Sequence, residues 1–537
     1  MNSRILWLLG AALVFVYLLR LGGSPLTERS EARYVGVAWE MLQSGDYLTP
    51  RYNGIKHLHK PPLFYWVTAL GMRTLGTGEA AARFPTALAA LGCLALTFAF
   101  CEQKAVAPGQ GGVAILCLGA SPFFWEMGRI AVTDMLVALL TSLSLYTAWR
   151  VLDQGPSSGL LITFWSSLGL NFLCKGPVGP LIVALTVLPY SALKGGRLRN
   201  FRPLPGLFLA SVIGLPWYLW VVSTNPGLLQ YFVKFQTVDR VLSTVHHREG
   251  PFWYYLPVWL GGFLPWTPWM LAAIRKAASS ARRAQNSPCD PDLFCLLWMG
   301  LPTLFFSCMG SKLPPYILPL FPPASVLIAR YFPSFSRTVL AAPLAVIALA
   351  SAACGAALAL RPPMLAPYTH EIGFAAIWTA SITIWGIWVW LRPESDTLVS
   401  TASVGMFGLL ILASSAFTRL DHLSARNIAR AINQTATGPH EVAMLHGYLF
   451  GLPYYLGQFV VHVEYERETQ FEDSEAFRSR ILPNLPAYLI KFHNEARERF
   501  LIVRTPELGN IPSFGGESLI YQDEDFSVLH HPARPLR

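Results

Sequence analysis

Two carboxylates three residues apart, Glu28 and Glu31, stand among cations in the run Thr27-Glu28-Arg29-Ser30-Glu31-Ala32-Arg33-Tyr34, and His57-Leu58-His59-Lys60-Pro61-Pro62 follows shortly after. Acids and cations at this spacing suit acid–base work and the holding of an anion. Directly after the hydrophobic span Ile5 to Leu21, the anion that fits is a lipid-borne phosphate. The cluster stands out because only 13% of residues are Asp, Glu, Lys or Arg, against about 25% in an ordinary soluble domain. Charge beside a membrane span needs a reason.

Other charged residues recur at the mouths of apolar stretches. Asp134, in Arg129-Ile130-Ala131-Val132-Thr133-Asp134-Met135, opens one such stretch, where an unpaired carboxylate would be costly, so it calls for a partner. Lys175-Gly176-Pro177 opens another, and Ser311-Lys312-Leu313-Pro314-Pro315-Tyr316 precedes a third. Asp239 and Arg240 sit in a long loop that ends in His246-His247-Arg248.

The elements that must position these residues are set by composition. With 53% hydrophobic residues in 537 and a mean hydropathy of +0.40, the chain carries more apolar surface than one soluble core can hide. The expected class is an all-α polytopic membrane protein of about thirteen transmembrane helices, several broken by Pro or Gly. The first, Ile5 to Leu21, lacks a small-residue cleavage site and reads as a retained span. The net charge of +10 does not indicate nucleic acid, since the basic residues lie in short loops and no nucleic-acid-binding motif accompanies them. Turns with Lys194, Arg197, Arg199 and Arg202, then Arg275, Lys276, Arg282 and Arg283, then Arg330 and Arg337 fall on one side, which the positive-inside rule makes cytoplasmic. The unusual chemistry then lies on the outer side.

Two domains are expected: residues 1–426 in the membrane, with outer-face amphipathic segments in 23–81 and an outer loop at 225–251, and a soluble α/β domain at 427–537. In the latter, Glu441 to Leu445, Phe459 to Glu466 and Leu501 to Thr505 read as strands, and Ser474 to Ile481 and Phe492 to Phe500 as helices. No nucleotide-binding glycine loop occurs in it. From Pro25 to Gly45 the pattern predicts one amphipathic helix on the membrane surface, with Tyr34, Val35, Val37, Ala38, Met41 and Leu42 on its apolar side and Glu28 and Glu31 sharing a face.

The order Glu31-Ala32-Arg33-Tyr34, Lys60-Pro61-Pro62-Leu63-Phe64-Tyr65-Trp66, Asp134, Lys175-Gly176-Pro177 and Lys312-Leu313-Pro314-Pro315-Tyr316-Ile317-Leu318-Pro319 resembles the bacterial aminoarabinose transferases. These group with the protein O-mannosyltransferases among the membrane glycosyltransferases of the C type. The resemblance covers essentially the whole chain and implies thirteen spans with a periplasmic C-terminal α/β domain. It also implies transfer of a sugar from polyprenyl phosphate, undecaprenyl in bacteria, to an acceptor at the outer face of the inner membrane. The acceptor is a lipid A-like glycolipid or, alternatively, protein. Lys60 and Arg240 match family positions for the leaving phosphate, with Lys312 beside them. Tyr316 adds a hydrogen bond, Arg33 orients the carboxylate, and Asp134 joins the catalytic group.

The chain departs from this pattern at two places. Where the family carries an Asp before the Glu, this chain has Ser30, so Glu31 is expected to take the catalytic role, with Glu28 as the alternative acid. Where the family places a Glu before the Lys as a metal ligand, this chain has His59, and near the later ligand position Phe235 and Gln236. A divalent ion on His59, with His57, His246 or His247, is therefore an expectation of its own. A lipid-linked sugar transporter or flippase is the competing class. It would place ionisable residues near the bilayer midplane and show internal repeats, whereas here they gather at span ends.

Overall fold

The computed structural model describes residues 3–195, 197–238, 249–283, 289–391, 395–419, 424–464, 479–494, 497–512 and 516–533. The chain divides into two compact units. One comprises residues 1–21 and 83–417, the other 22–82 and 418–537. The expected division at 426/427 thus differs in where the early charged segment goes: residues 22–82 group with the C-terminal residues.

The first unit is helical and apolar. Among the described residues six helices are long and apolar enough to cross a membrane: Glu79–Cys101, which begins in the second unit, Thr133–Gln154, Pro291–Cys308, Arg337–Leu360, Thr369–Trp390 and Thr397–Phe417. The pair Pro203–Gly214 and Pro216–Thr224, bent by 49°, makes a seventh if taken as one span. The chain is an integral membrane protein. Other expected spans are assembled from short pieces. Val113 to Phe124 falls in Gly111–Gly119 and Pro122–Met127, Tyr254 to Ala273 in Tyr255–Gly262 and Thr267–Arg283, and Tyr316 to Ala329 in a 3-10 turn followed by Phe321–Tyr331. Each break coincides with a Pro, which removes a helical donor and clashes with the preceding turn.

Helices Thr133–Gln154 and Ser158–Lys175 are joined by three residues and pack against each other. Polar contacts fix their register: the Ser144 and Ser167 hydroxyls lie 2.7 Å apart, and Asn171 Nδ2 donates to Thr141 Oγ1 at 2.9 Å. Arg129, buried, donates to the carbonyls of Val16, Tyr17 and Leu19. It thereby satisfies acceptors that the end of the helix Ser3–Leu18 leaves unpaired.

The second unit contains a small hairpin and a six-stranded sheet. Strands β1 (Arg51–Tyr52) and β2 (Ile55–Lys56) pair through Asn53-Gly54, both at positive φ, as a two-residue hairpin turn requires. The sheet comprises β3 (His440–Leu445), β4 (Val461–Val463), β5 (Ile481–Leu482), β6 (Glu498–Arg504), β7 (Ser518–Gln522) and β8 (Phe526–His531), in the order β5-β4-β3-β6-β8-β7. The first four neighbours run parallel, and β8 and β7 close the edge antiparallel. Alternation sends Val442, Met444, Phe500 and Ile502 to one face, against Ile428, Ala429 and Ile432 of the helix Arg426–Thr435. Ala443, Leu445, Leu501 and Val503 go to the other face, with Tyr488.

Three expectations in this unit are corrected. The helix expected at Phe492 to Phe500 ends at Asn494, and Glu498–Arg504 is a central strand because Phe500 and Ile502 bury one face of the sheet while Leu501 and Val503 bury the other. The helix expected from Ser474 to Ile481 lies mostly outside the described residues, and Ile481 belongs to β5. The amphipathic helix expected from Pro25 begins at Glu31 and runs to Ser44. Arg29 adopts φ 70°, which no right-handed helix accommodates, so Glu28 and Glu31 share no helix face. The predicted C-terminal cap is present: Gly45 has φ 72° and donates to Met41 O.

Candidate functional site

In the membrane unit the site begins with two helix ends. Asp134 lies in the first turn of Thr133–Gln154 and Lys175 in the last turn of Ser158–Lys175. Each charge is favoured there by the helix dipole, and the antiparallel packing brings the two together. Lys175 Nζ meets Asp134 Oδ1 at 2.5 Å, with the side chains 10% and 13% exposed. The partner that Asp134 calls for is therefore Lys175. The Lys175 ammonium also lies 5.5 Å from the centre of the Tyr316 ring, close enough for a cation–π contact. Tyr316 is buried in the 3-10 turn Pro314–Leu320. Lys312, just ahead of that turn, donates to Gly250 O at 2.9 Å and Met309 O at 2.7 Å, so two of its three N–H groups hold main chain. Arg240, with Asp239, His246, His247 and Arg248, lies outside the described residues, and so do the side chains of Phe235 and Gln236.

In the second unit the charged segment gathers cations. His57 is buried, and its ring lies 4.4 Å from that of His59. Burial, and then the positive surroundings of His59, Arg33 and Lys60, push the His57 imidazole well below its ordinary range. The Arg33 guanidinium lies 5.2 Å from the Phe450 ring centre and 5.8 Å from that of Tyr34. Phe450 is itself fixed, since Tyr52 Oη donates to its carbonyl at 2.8 Å and its amide donates to Glu28 Oε2 at 2.6 Å. Among the described residues no group of three or more His, Cys, Asp or Glu could hold a metal ion. The expected metal on His59 thus lacks support.

The two acids of the segment differ. Glu31 is fully buried, and its Oε2 accepts from Thr27 N at 3.0 Å and Thr27 Oγ1 at 3.2 Å. Ser30 is exposed and its side chain makes no cap. The Glu28 carboxylate accepts three main-chain amides, from Phe450 at 2.6 Å, Gly451 at 2.9 Å and Ala425 at 3.3 Å. Burial outweighs those bonds and pushes its pKa up to about 7. Glu28 is thus a structural clasp on the starts of the helices Leu452–Leu456 and Arg426–Thr435. Phe450 and Tyr52 were not singled out by sequence. They matter through contacts about 400 positions apart.

Over 99% of this chain and 98% of the other, the structure superposes on crystalline ArnT from Cupriavidus metallidurans bound to undecaprenyl phosphate, with a TM-score of 0.86 and 24% sequence identity. This is the C-type glycosyltransferase fold. The apo structure of the same ArnT gives a TM-score of 0.81. Within the C-type fold, residues 59–220 match the family model of dolichyl-phosphate-mannose-protein mannosyltransferases, a stretch that includes Lys60, Asp134 and Lys175. An undecaprenyl phosphate-alpha-4-amino-4-deoxy-L-arabinose arabinosyl transferase of Edwardsiella ictaluri is 31% identical over 328 residues, 60% of this chain. One from Sodalis glossinidius is 32% identical over 340 residues. The matched region spans 58% and 59% of the length of these two relatives.

Proposed function

We propose that this C-type chain transfers a sugar from a polyprenyl phosphate carrier, undecaprenyl phosphate in a bacterium, to an acceptor at the outer face of the inner membrane. A lipid A-like glycolipid is the favoured acceptor, and the C-terminal sheet domain lies in the periplasm. The observation that carries the reading is the likeness of fold along nearly the whole chain to a protein solved with undecaprenyl phosphate. The cationic surroundings of His57 support it, because the leaving phosphate gains negative charge as the sugar–phosphate bond breaks.

Roles follow from chemistry. Lys60 binds the carrier phosphate, and Lys312, Tyr316 and Arg240 are assigned to the same lipid. Glu31 is the catalytic carboxylate, Arg33 orients it, and the Asp134–Lys175 pair holds charge at the mouth of the membrane helices. A phosphate acceptor is already a nucleophile and asks less of Glu31 than a hydroxyl would. No nucleotide is required, since the activated sugar arrives on the lipid.

The test is mass spectrometry of envelope lipids and glycoproteins from cells with and without the gene, followed by transfer with the purified chain and an undecaprenyl phosphate-linked sugar. A sugar lost from a glycolipid supports the reading. A sugar lost from protein alone moves the acceptor to the protein O-glycosyltransferase alternative. Unchanged envelopes, together with no transfer in vitro, overturn it.

A further inference from the structure

Phe450 stands a few residues past the end of β3, yet its ring meets a side chain from the charged segment near the start of the chain. It is held on every side. Its amide donates to Glu28 and its carbonyl accepts from Tyr52 Oη, so the main chain is fixed on both flanks of the residue. The ring packs on Tyr448 at 4.5 Å and on Tyr52 at 5.3 Å between centres, and Tyr448 stacks in turn on the buried His462 of β4 at 4.1 Å. The sheet thus anchors the ring.

The helix Glu31–Ser44 is shaped to meet it. Gly36 lies three residues after Arg33 and so shares its side of the helix. A Cβ built on Gly36 would come within 2.9 Å of the Tyr52 ring and 3.7 Å of Phe450 O. The missing side chain lets the helix lie against Tyr52 and Phe450, and that approach leaves the Arg33 guanidinium 5.2 Å from the Phe450 ring centre. Asn53, in the hairpin turn, ties the same region to the sheet by donating to Val460 O at 2.7 Å and accepting from Val460 N at 2.9 Å. Four separate stretches of chain converge on one cation.

A ring face holds a guanidinium differently from a carboxylate. It fixes the plane of the group, takes none of the in-plane N–H donors and cancels none of the charge. Such a hold suits a cation that has to act on a further group, and Arg33 lies with His59 and Lys60 around His57. From this convergence we propose that Phe450 is a positioning residue: its ring sets the plane of the Arg33 guanidinium, which makes the C-terminal sheet a working part of the transfer reaction. The assignment rests on the role given to Arg33 under Proposed function and adds what holds that side chain in place.

The experiment uses the full chain in lipid nanodiscs, with undecaprenyl phosphate bearing a 4-amino pentose as donor and lipid A as acceptor. At position 450, mono-, di- and trifluorophenylalanine keep the shape of the ring while draining negative charge from its face in steps. Phe450→Leu removes the ring. All four retain the main-chain bonds to Glu28 and Tyr52. Along the fluorinated series kcat should fall stepwise, reaching about tenfold below wild type in the trifluoro protein and in Phe450→Leu, with KM for the donor within about twofold. The melting temperatures of the fluorinated proteins should stay close to wild type. A kcat that is flat along the series overturns the proposal even if Phe450→Leu is slow or fails to fold, for the ring then only fills space. A melting temperature that drops in step with kcat makes Phe450 a packing residue and also overturns it. Either result leaves the sugar-transfer reading standing, whereas no transfer by the wild-type chain overturns that reading and this proposal with it.

Discussion

Replacing Glu28 by Gln should stabilise the second unit at pH 8, although it removes a carboxylate that accepts three main-chain amides. Burial lifts the Glu28 pKa from 4.5 to about 7, so ionising this group is harder in the folded chain than in the unfolded one. With the folded value above the unfolded value, the contribution of Glu28 is greatest below pH 4.5, declines as pH rises to about 7, and is level above that. The shift corresponds to about 3 kcal/mol. Gln imitates the protonated acid at every pH but turns an N–H toward the Phe450 amide, at a cost of about 1–2 kcal/mol. The net gain at pH 8 is about 1–2 kcal/mol, or about 2–8 °C in unfolding temperature for a unit of this size. Below pH 4.5 the wild type should be the more stable. Thermal unfolding of the full chain in detergent, followed by fluorescence at both ends of this pH range, reads the crossing directly. Glu28→Ala leaves all three amides without an acceptor and should unfold below Glu28→Gln at both pH values. If Glu28→Gln is less stable than wild type at pH 8 and shows the same pH slope, the argument from burial is wrong.

Asp134→Asn should cost about 3 kcal/mol or more of stability by leaving Lys175 without its anion, and pairing it with Lys175→Met should recover most of that loss in denaturant melts. Glu31→Gln should abolish transfer while circular dichroism and the melting temperature stay close to wild type; activity near wild type removes Glu31 from the catalytic role. Lys60→Ala should weaken undecaprenyl phosphate binding, as read by isothermal calorimetry, and unchanged affinity would count against its phosphate role. His446 holds Glu507 through Nδ1 at 2.9 Å and Glu464 through Nε2, and those bonds raise its pKa above 6.5. This brace is therefore present below pH 6.5 and lost as pH rises through the raised value, so amide exchange around Leu485 and in Thr505–Asn510 should quicken over that rise. His446→Ala should show the fast rate throughout.

The fold was legible where one local signal decides an element. The spans Thr133–Gln154 and Arg337–Leu360 announce themselves by long, predominantly apolar stretches, and Gly45 ends its helix as its type and place indicate. It was less legible where distant chain decides. Nothing around Arg29 signals a left-handed residue, because the cause lies at Ala425, Phe450 and Gly451, whose amides claim Glu28. The sequence reads Leu501 to Thr505 as a strand but runs a helix up to Phe500, and only the sheet, which covers both faces of Glu498–Arg504, moves the start of that strand back to Glu498. In the site, the need of Asp134 for a partner could be read from sequence. That Lys175 meets it required knowing that the two helices pack antiparallel. Phe450 beneath Arg33 had no local sign at all.

The clasp at Glu28 also bears on how the chain is made. Its acceptor atoms emerge from the ribosome early, and the amides they need are synthesised 397 to 423 positions later. During that interval residues 22–82 wait, unfinished, while the membrane helices that follow them in the chain are inserted, and closing such a contact is slow. A premature stop anywhere before Ala425 therefore damages the N-terminal segment as surely as it removes the C-terminal sheet. Late truncations of this protein should behave in cells as early ones do, with Glu31, Arg33 and Lys60 translated but never properly seated.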